Sequence, residues 1–290
     1  KFGRNTDEDF VSGIRNLKTK GMKKLILDLR DNGGGYVTAA TALANQFLGE
    51  NKLITYTEGK HEPRTDYYAT GGGEFEQGKL AVLINENSAS ASEIFAGAIQ
   101  DLDRGVIIGR RSFGKGLVQE QFPVEDWSAL NLTIAHYYTP LGRSIQKPYK
   151  KGYAAYQREI EDRFNDGELT AKNVKPKDSL VKIPTFITQA GKKVFGGGGI
   201  QPDIYVKLDT LGYNKFYANL VSKNILTDFV FSSLVDRYNA LYISQNLNSF
   251  SISDTDFKEL IKYLQSKNIA IDPKQLAMSK SCARGWTMNR

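Results

Sequence analysis

Apolar and polar positions along the chain follow two rhythms. Over residues 6–20, Phe10, Ile14 and Leu17 recur at helical spacing, with Thr6 or Asp7 as a cap and Gly21 as a stop, which predicts a helix. KKLILDLR (23–30) is a Leu- and Ile-rich run that ends in a glycine turn at 33–35, the pattern of a strand. YVTAATALANQFL (36–48) predicts a second helix with small and apolar residues on one side. A strand over 53–59 and a polar loop through 75 follow, then a buried strand over 79–85. SASEIFAGAIQDLDR (90–104) predicts a helix with Ile94, Ala98 and Ile99 on one face, and GVIIG (105–109) another buried strand. LVQEQF after Gly116 alternates in the manner of a strand, and LNLTIAHYYTP (130–140) is a further one. Strand and helix in alternation predict an α/β core with parallel strands.

Past residue 150 the rhythm changes. Residues 150–175 are charged and partly helical, the mark of an insertion, and PTFITQAGKKVFG reads as a hairpin. From about residue 213 the periodicity is helical. The expected organisation is therefore an α/β core over 1–212, with an insertion at about 150–190, and a helical C-terminal region over 213–290. The last residues, CARGWTMNR, have no periodicity and are expected to be loose or irregularly packed.

Composition adds exclusions. The 290 residues are 40% hydrophobic and 24% charged, ordinary for a folded protein with a real core. No apolar run approaches the roughly 18 residues of a membrane helix. The net charge of +7 is scattered, densest in KGMKK and KPYKK, without a nucleic-acid motif, so it reads as solvated surface. One cysteine, Cys282, cannot form an internal disulfide, and with only His61 and His136 a structural zinc site is not expected. No cofactor is called for. The chain starts at Lys1 without a signal-peptide pattern, as a fragment or processed form would.

Candidate chemistry begins with GRRSFGKG (109–116). Gly109, Gly114 and Lys115 have phosphate-loop spacing, but Gly116 stands where Ser or Thr would hold Mg²⁺, and a strand follows where a helix is needed. Nucleotide binding is thus disfavoured against a plain glycine turn or another use of Lys115. The predicted strand 79–85, helix 90–104 and strand 105–109 form a βαβ unit, which returns the chain parallel to its start. Lys115 and Ser90 then fall at the same sheet edge, joined by Gly33–Gly35 if strand 23–30 is parallel in that sheet. A serine nucleophile needs a base, and a neutral lysine is a known solution. At a helix start, the Ala91 N–H is a natural oxyanion donor, and Gly34 or Gly35 could supply a second. Bland readings stand beside these: Ser90-Ala-Ser-Glu93 matches a capping box, DNGGG could be only a turn, and Ser88 and Ser92 are equally available hydroxyls.

LILDLRDNGGG, NENSASASEIFAGAIQDLDRGVIIGRRSFGKGLVQ, YYTPLGRSIQ and GGGIQPDIYV, in this order over residues 25–206, resemble the C-terminal processing peptidases, or tail-specific proteases. The resemblance implies serine peptidase chemistry with a Ser-Lys pair. On it, Ser90 is the nucleophile, Lys115 the general base and Gln119 a residue that orients the lysine. Because Cα atoms four apart in a straight strand lie about 13 Å apart, a bend or bulge at Gly116 is expected. The oxyanion donors map to Gly34 or Gly35 and Ala91, and Asp101 to a structural or second-shell carboxylate. The implied fold is a crotonase/ClpP-like α/β core of spiralling βαβ units with a helical C-terminal appendage. The implied partners are proteins with accessible C-termini, not nucleic acid, with homo-oligomers possible for the family. The implied location is the bacterial periplasm or cell envelope. Family members usually carry a PDZ domain upstream of the core, and residue 1 here falls too late to hold one. A catalytically silent peptide-binding module of the same fold is the alternative.

Overall fold

The structure, a computed structural model, describes residues 1–125, 128–149, 152–170, 183–209, 215–235, 238 and 253–271. The chain divides into two compact units, Lys1–Leu208 and Asp209–Arg290. In chain order the first unit holds α1 (Thr6–Thr19), β1 (Lys24–Asp28), α2 (Val37–Asn45), β2 (Leu53–Glu58), β3 (Thr65–Tyr68) and β4 (Lys79–Ile84). It continues with α3 (Ala91–Asp101), β5 (Val106–Gly109), β6 (Leu117–Pro123), β7 (Ala129–Tyr138), α4 (Tyr153–Asn165), β8 (Thr185–Ile187), β9 (Lys193–Phe195) and β10 (Ile204–Tyr205).

One sheet has the order β1-β4-β5-β10, and every pairing in it is parallel. A second, antiparallel sheet has the order β3-β2-β7-β6, and β8 pairs with β9 as a separate hairpin. The alternation of strand and helix thus yields a parallel sheet, as predicted. The strand β3 was hidden in the predicted polar loop. Its TDYY sequence lacks an aliphatic face, and it is fixed by its pairing with β2.

The core lies between the parallel sheet and its helices. Leu80, Val82 and Ile84 of β4 and Ile107 of β5 share one cluster with Ile94, Phe95, Ala98 and Ile99 of α3 and Leu43 and Ala44 of α2. All residues of α3 are buried, including its polar ones. The strands β4 and β5 are buried on this face only. On the other, Ile26, Ala81 and Val106 stand in register, and Ile26 is 67% exposed. A continuous apolar run therefore did not mean two covered faces here, because the helical cover lies on one side.

Asn5 rather than Thr6 or Asp7 takes the N-cap position of α1, without a side-chain bond, and Gly21 follows the C-cap Lys20 at φ 83°. Ile14 is its buried anchor.

The second unit contains α5 (Lys215–Ser222), α6 (Ile225–Phe229), a π-helical segment (Val230–Leu234) and α7 (Asp254–Ser266). Phe216, Leu220 and Leu264 form its cluster, with Leu260 and Ile269 against them. Ser253 and Asp256 cap α7 reciprocally. The expectation for CARGWTMNR, with Cys282, lies outside the described residues. Among the described residues no helix is long and apolar enough to cross a membrane.

Candidate active site

Parallel strands deliver their carboxyl ends to one edge. Here the loops after β1, β4 and β5 meet there and are laced together. Asp31 and Asn85 bond through both side chain and main chain, Ala89 N–H donates to the Asn32 carbonyl at 3.0 Å, and Phe113 N–H to the Ser88 carbonyl at 2.9 Å. Lys115, Ser90 and Gly34 therefore arrive at one place although they are far apart in sequence. No helix follows Lys115; β6 begins two residues later, so the phosphate-loop geometry is not formed.

Three serines were open as candidates, and the structure separates them. The Ser88 hydroxyl is buried, donating to the Leu29 carbonyl at 2.7 Å and accepting from Asn85 N–H at 2.9 Å. The Ser92 hydroxyl is also buried and donates to the Asn32 carbonyl at 2.8 Å. Both staple the loops. Ser90 is half-buried and takes φ 58° and ψ −117°, a conformation that costs a non-glycine residue of order 1–3 kcal/mol. It sits at the turn from β4 into α3, where the Ser92 N–H goes to the Ala89 carbonyl and the Glu93 and Ile94 N–H groups to the Ser90 carbonyl, while the Ala91 N–H has no described acceptor. Ser90 and Glu93 form the predicted capping box of α3: the Ser90 N–H donates to the Glu93 carboxylate at 2.9 Å, and the Glu93 N–H also reaches the Ser90 carbonyl at 2.7 Å.

Glu93, one turn into α3, is the residue that organises the site. Sequence reasoning saw it only as a capping partner. It is fully buried, and its carboxylate accepts four bonds: from Ser90 N–H (2.9 Å), Gly114 N–H (2.7 Å), Lys115 N–H (2.9 Å) and the Ser112 hydroxyl (2.5 Å). Burial pushes its carboxyl above the usual range, and the four donors pull it back. One side chain thus bridges the backbones of both candidate residues. The available signal was a lone carboxylate in an otherwise apolar, small-residue helix.

The Lys115 carbonyl accepts from the Tyr137 hydroxyl, and the Gly116 amide donates to Gln146 Oε1 at 2.8 Å. Among the described residues, no hydrogen bond joins the Ser90 hydroxyl to the Lys115 amine. His136 lies within β7 opposite Leu117, and neither it nor His61 bonds Ser90.

The remaining candidates are divided. Gly34 lies against Ser90, such that a Cβ on it would be 2.7 Å from the Ser90 Cβ and 2.8 Å from the Ala91 nitrogen. Its own N–H is committed to Asn32 Oδ1 at 3.1 Å, whereas the Gly35 and Ala91 amides donate to no described group. Gln119 is exposed on β6, opposite Thr133, and makes no described bond to Lys115. The expected bulge falls at Val118–Gln119, not at Gly116. Gly116 is instead required by packing, since a Cβ there would meet the Gln146 nitrogen at 2.9 Å. Asp101 is not beside the site. It ends the 11-residue α3, about 16 Å from its start, and its buried carboxylate bonds Arg143 at 2.6 Å and Leu141 N–H at 3.0 Å.

The family model described as peptidase family S41 matches residues 1–152, which hold all of these groups. The chain belongs to peptidase family S41. Similar S41 proteins include the carboxyl-terminal-processing protease of Picosynechococcus sp., 36% identical over 51% of this chain and 35% of that protein. The carboxy-terminal-processing protease of Bartonella bacilliformis is 34% identical over 62% of this chain and 45% of its own length. The structure of a photosystem II D1 C-terminal processing protease matches with a TM-score of 0.50 at 28% identity, covering 72% of this chain and 41% of that one. The chain thus spans less than half the length of these relatives.

Helix α4 begins just past the S41 match, yet it grips the loop that carries Lys115. Arg163 donates to the Ser112 and Arg111 carbonyls, and Arg111 pairs with Glu168 at 2.8 Å and Glu159 at 3.1 Å. The buried Lys147 amine lies 3.7 Å from the Phe113 ring centroid and 4.3 Å from that of Tyr156, and pairs with Glu159 at 3.2 Å. Burial pushes the Lys147 amine below its ordinary value, and Glu159 opposes that. Among the described residues of this S41 chain, no cluster of three or more His, Cys, Asp or Glu side chains is placed to hold a metal ion.

Proposed function

We propose that this chain is the catalytic part of a serine endopeptidase that cuts proteins near their C-termini, with Ser90 as nucleophile and Lys115 as general base. The observation that carries the reading is the backbone of Ser90. Of three clustered serines it alone is strained and half-exposed, whereas the hydroxyls of Ser88 and Ser92 are spent on loop carbonyls, and it stands at the mouth of a helix beside an uncommitted Ala91 amide. Strain held at a polar residue in such a turn is a mark of function.

In the reaction, the Lys115 amine removes the Ser90 proton as Oγ attacks the scissile carbonyl carbon. The oxyanion is held by the Ala91 N–H and the Gly35 N–H, with Gly34 supplying close approach rather than its occupied amide. The C–N bond breaks as Lys115 passes its proton to the leaving amine, giving an acyl-enzyme. Water then releases the acyl group, its proton going to Lys115 and on to Ser90. Gln119 would orient the lysine once the β6 end near the bulge turns toward it. No cofactor enters these steps.

The S41 kinship supports a crotonase/ClpP-like description of the core, substrates with accessible C-termini and a cell-envelope location. In this reading a PDZ domain and self-association belong to the regulation of the whole protein. A second reading, a peptide-binding module without turnover, is favoured by the lack, among the described residues, of a hydrogen bond between the Ser90 hydroxyl and the Lys115 amine. Incubation with an unstructured protein substrate separates the two. Cleavage that is lost in both Ser90→Ala and Lys115→Ala and persists with chelators is expected. Full activity in either variant rejects the dyad, and binding without cleavage by the unaltered chain selects the second reading.

A further inference from the structure

We propose that Phe2 is a positioning residue of this site: its main chain is the catch that holds the Gly34–Gly35 peptide in the one orientation that offers the Gly35 N–H to an oxyanion. The inference rests on the assignment of the Gly35 amide above.

Phe2 and Gly35 form an isolated parallel bridge. Phe2 N–H donates to the Gly34 carbonyl at 3.0 Å, and Tyr36 N–H donates to the Phe2 carbonyl at 3.1 Å. The Gly34 N–H is spent on Asn32 Oδ1 at 3.1 Å. Of three successive amides in the turn, two therefore have fixed acceptors, and that of Gly35 has no described one. The first of these bonds sets its aim. In a planar trans peptide the carbonyl oxygen and the following N–H point opposite ways, and no described peptide is cis. With the Gly34 oxygen turned to Phe2, the Gly35 N–H must point away from it. A carbonyl that accepts a bond also polarises its own peptide and strengthens the N–H as a donor.

The catch matters because the peptide it holds joins two glycines. Without side chains, both can exchange one sign of φ for the other, so turning the peptide over costs little. A turned peptide would put the Gly34 oxygen where the oxyanion must sit, and the site would fail with Ser90 and Lys115 untouched. Packing admits no bulkier pair here. A Cβ on Gly35 would overlap the Phe2 carbonyl oxygen and stand 2.8 Å from its carbon, while one on Gly34 would press on Ser90. Phe2 is itself anchored twice. Its side chain is 2% exposed within the main core cluster, and the next residue, Gly3, donates its N–H to Thr6 Oγ1 at 2.8 Å at the start of α1. The short segment ahead of α1 thus reaches the site through one peptide.

The test replaces Phe2 with its α-hydroxy analogue, phenyllactic acid, which turns the one N–H into an ester oxygen and leaves the ring in place. Removing an oxyanion donor costs about 100- to 1,000-fold in kcat, so freeing its aim should cost roughly 10- to 100-fold, with KM within about twofold. The melting temperature should fall by no more than about 5 °C, the effect of one lost hydrogen bond. A peptide aldehyde, whose adduct with Ser90 sets an oxygen on the same amide, should bind more weakly, whereas a product peptide should bind as before. An unchanged kcat overturns the proposal. Crystal structures of both proteins show the Gly34–Gly35 peptide without any turnover. A peptide turned over, wholly or in part, in the ester protein supports the catch even if the unaltered chain cuts nothing, and then only the peptidase reading falls. An identical orientation in the two overturns the catch. If the ester protein does not fold, Phe2→Ala loosens the same catch by emptying its anchor, and Phe2→Leu refills it. The first should lose about tenfold or more in kcat and the second should return to within about threefold of wild type. A wild-type kcat in Phe2→Ala overturns the proposal.

Discussion

Glu93→Gln is the sharpest perturbation of this site because it preserves volume and changes only the donor–acceptor balance. Glu93 Oε1 accepts from Ser112 and Gly114, and Oε2 from Lys115 and Ser90. A glutamine keeps one of these oxygens. Whichever way the amide turns, its NH2 faces two donors. Ser112 can accept from the amide on its second lone pair while the first takes the Ile200 N–H at 2.6 Å, but its own O–H then loses the acceptor it has in Glu93. Each buried donor left unpaired costs roughly 1–3 kcal/mol, so the change should cost about 3 kcal/mol in all. At about 2–4 °C per kcal/mol for a unit of this size, the melting temperature should drop by roughly 6–12 °C. The donors released are the Ser90 and Lys115 amides in one orientation, or the Gly114 amide and the Ser112 hydroxyl in the other, so kcat should fall on the order of 100-fold. Differential scanning calorimetry and peptide cleavage read the two effects. A Glu93→Gln protein that melts within about 2 °C of wild type and keeps its activity would refute the reasoning. It would mean that burial holds a proton on this carboxyl and that an amide replaces it without conflict.

Gly34→Ala should lower kcat at least about tenfold and destabilise by roughly 1–3 kcal/mol, because the backbone is at φ 95° and the added methyl would meet the Ala89 oxygen at 2.6 Å. Gly33→Ala, with nothing within 4 Å of its Cβ, should be near neutral in the same assays, and equal effects from the two would remove the close-approach argument. Burial pushes the Glu168 carboxyl up, but the hydrogen bonds and charge of Arg111, joined by Arg163, hold it below the usual carboxylate range. Its folded value lies below the unfolded value of about 4.3, so its contribution is present above that pH and is lost as pH falls through the folded value. Urea midpoints of wild type and Glu168→Gln should therefore differ at neutral pH and converge on acidification. A constant gap would show that the carboxylate charge is not what holds α4 to the lysine loop.

Much of the architecture was legible because short-range pattern and long-range placement agree. The period of Phe10 and Ile14 wrote α1, the Leu- and Ile-rich runs wrote β1, β4 and β5, and their alternation with helices wrote a parallel sheet. The meeting of Ser90, Lys115 and the glycine turn followed from the handedness and return of one βαβ unit. Strand β3 was illegible, since TDYY has no face to bury and owes its conformation to β2. The bulge at Val118–Gln119 was placed two residues early, because register is fixed by the partner strand β7 and not by the glycine that precedes it.

The sequence by itself determined which residue types stand at the sheet edge, and through the resemblance it singled out Ser90 among three serines. Its local pattern could not make that choice. The tertiary structure separates the three on physical grounds: it occupies the hydroxyls of Ser88 and Ser92 with loop carbonyls and holds Ser90 strained and half-open. It likewise moved Asp101 away from the site to Arg143, and brought in Glu93 and Tyr137. Those roles depend on contacts between residues up to 60 positions apart, Asn32 to Ser92, and such contacts exist only once the strands have paired. Hydrophobic period is a property of neighbours along the chain, whereas the satisfaction of a buried carboxylate or phenol is a property of neighbours in space.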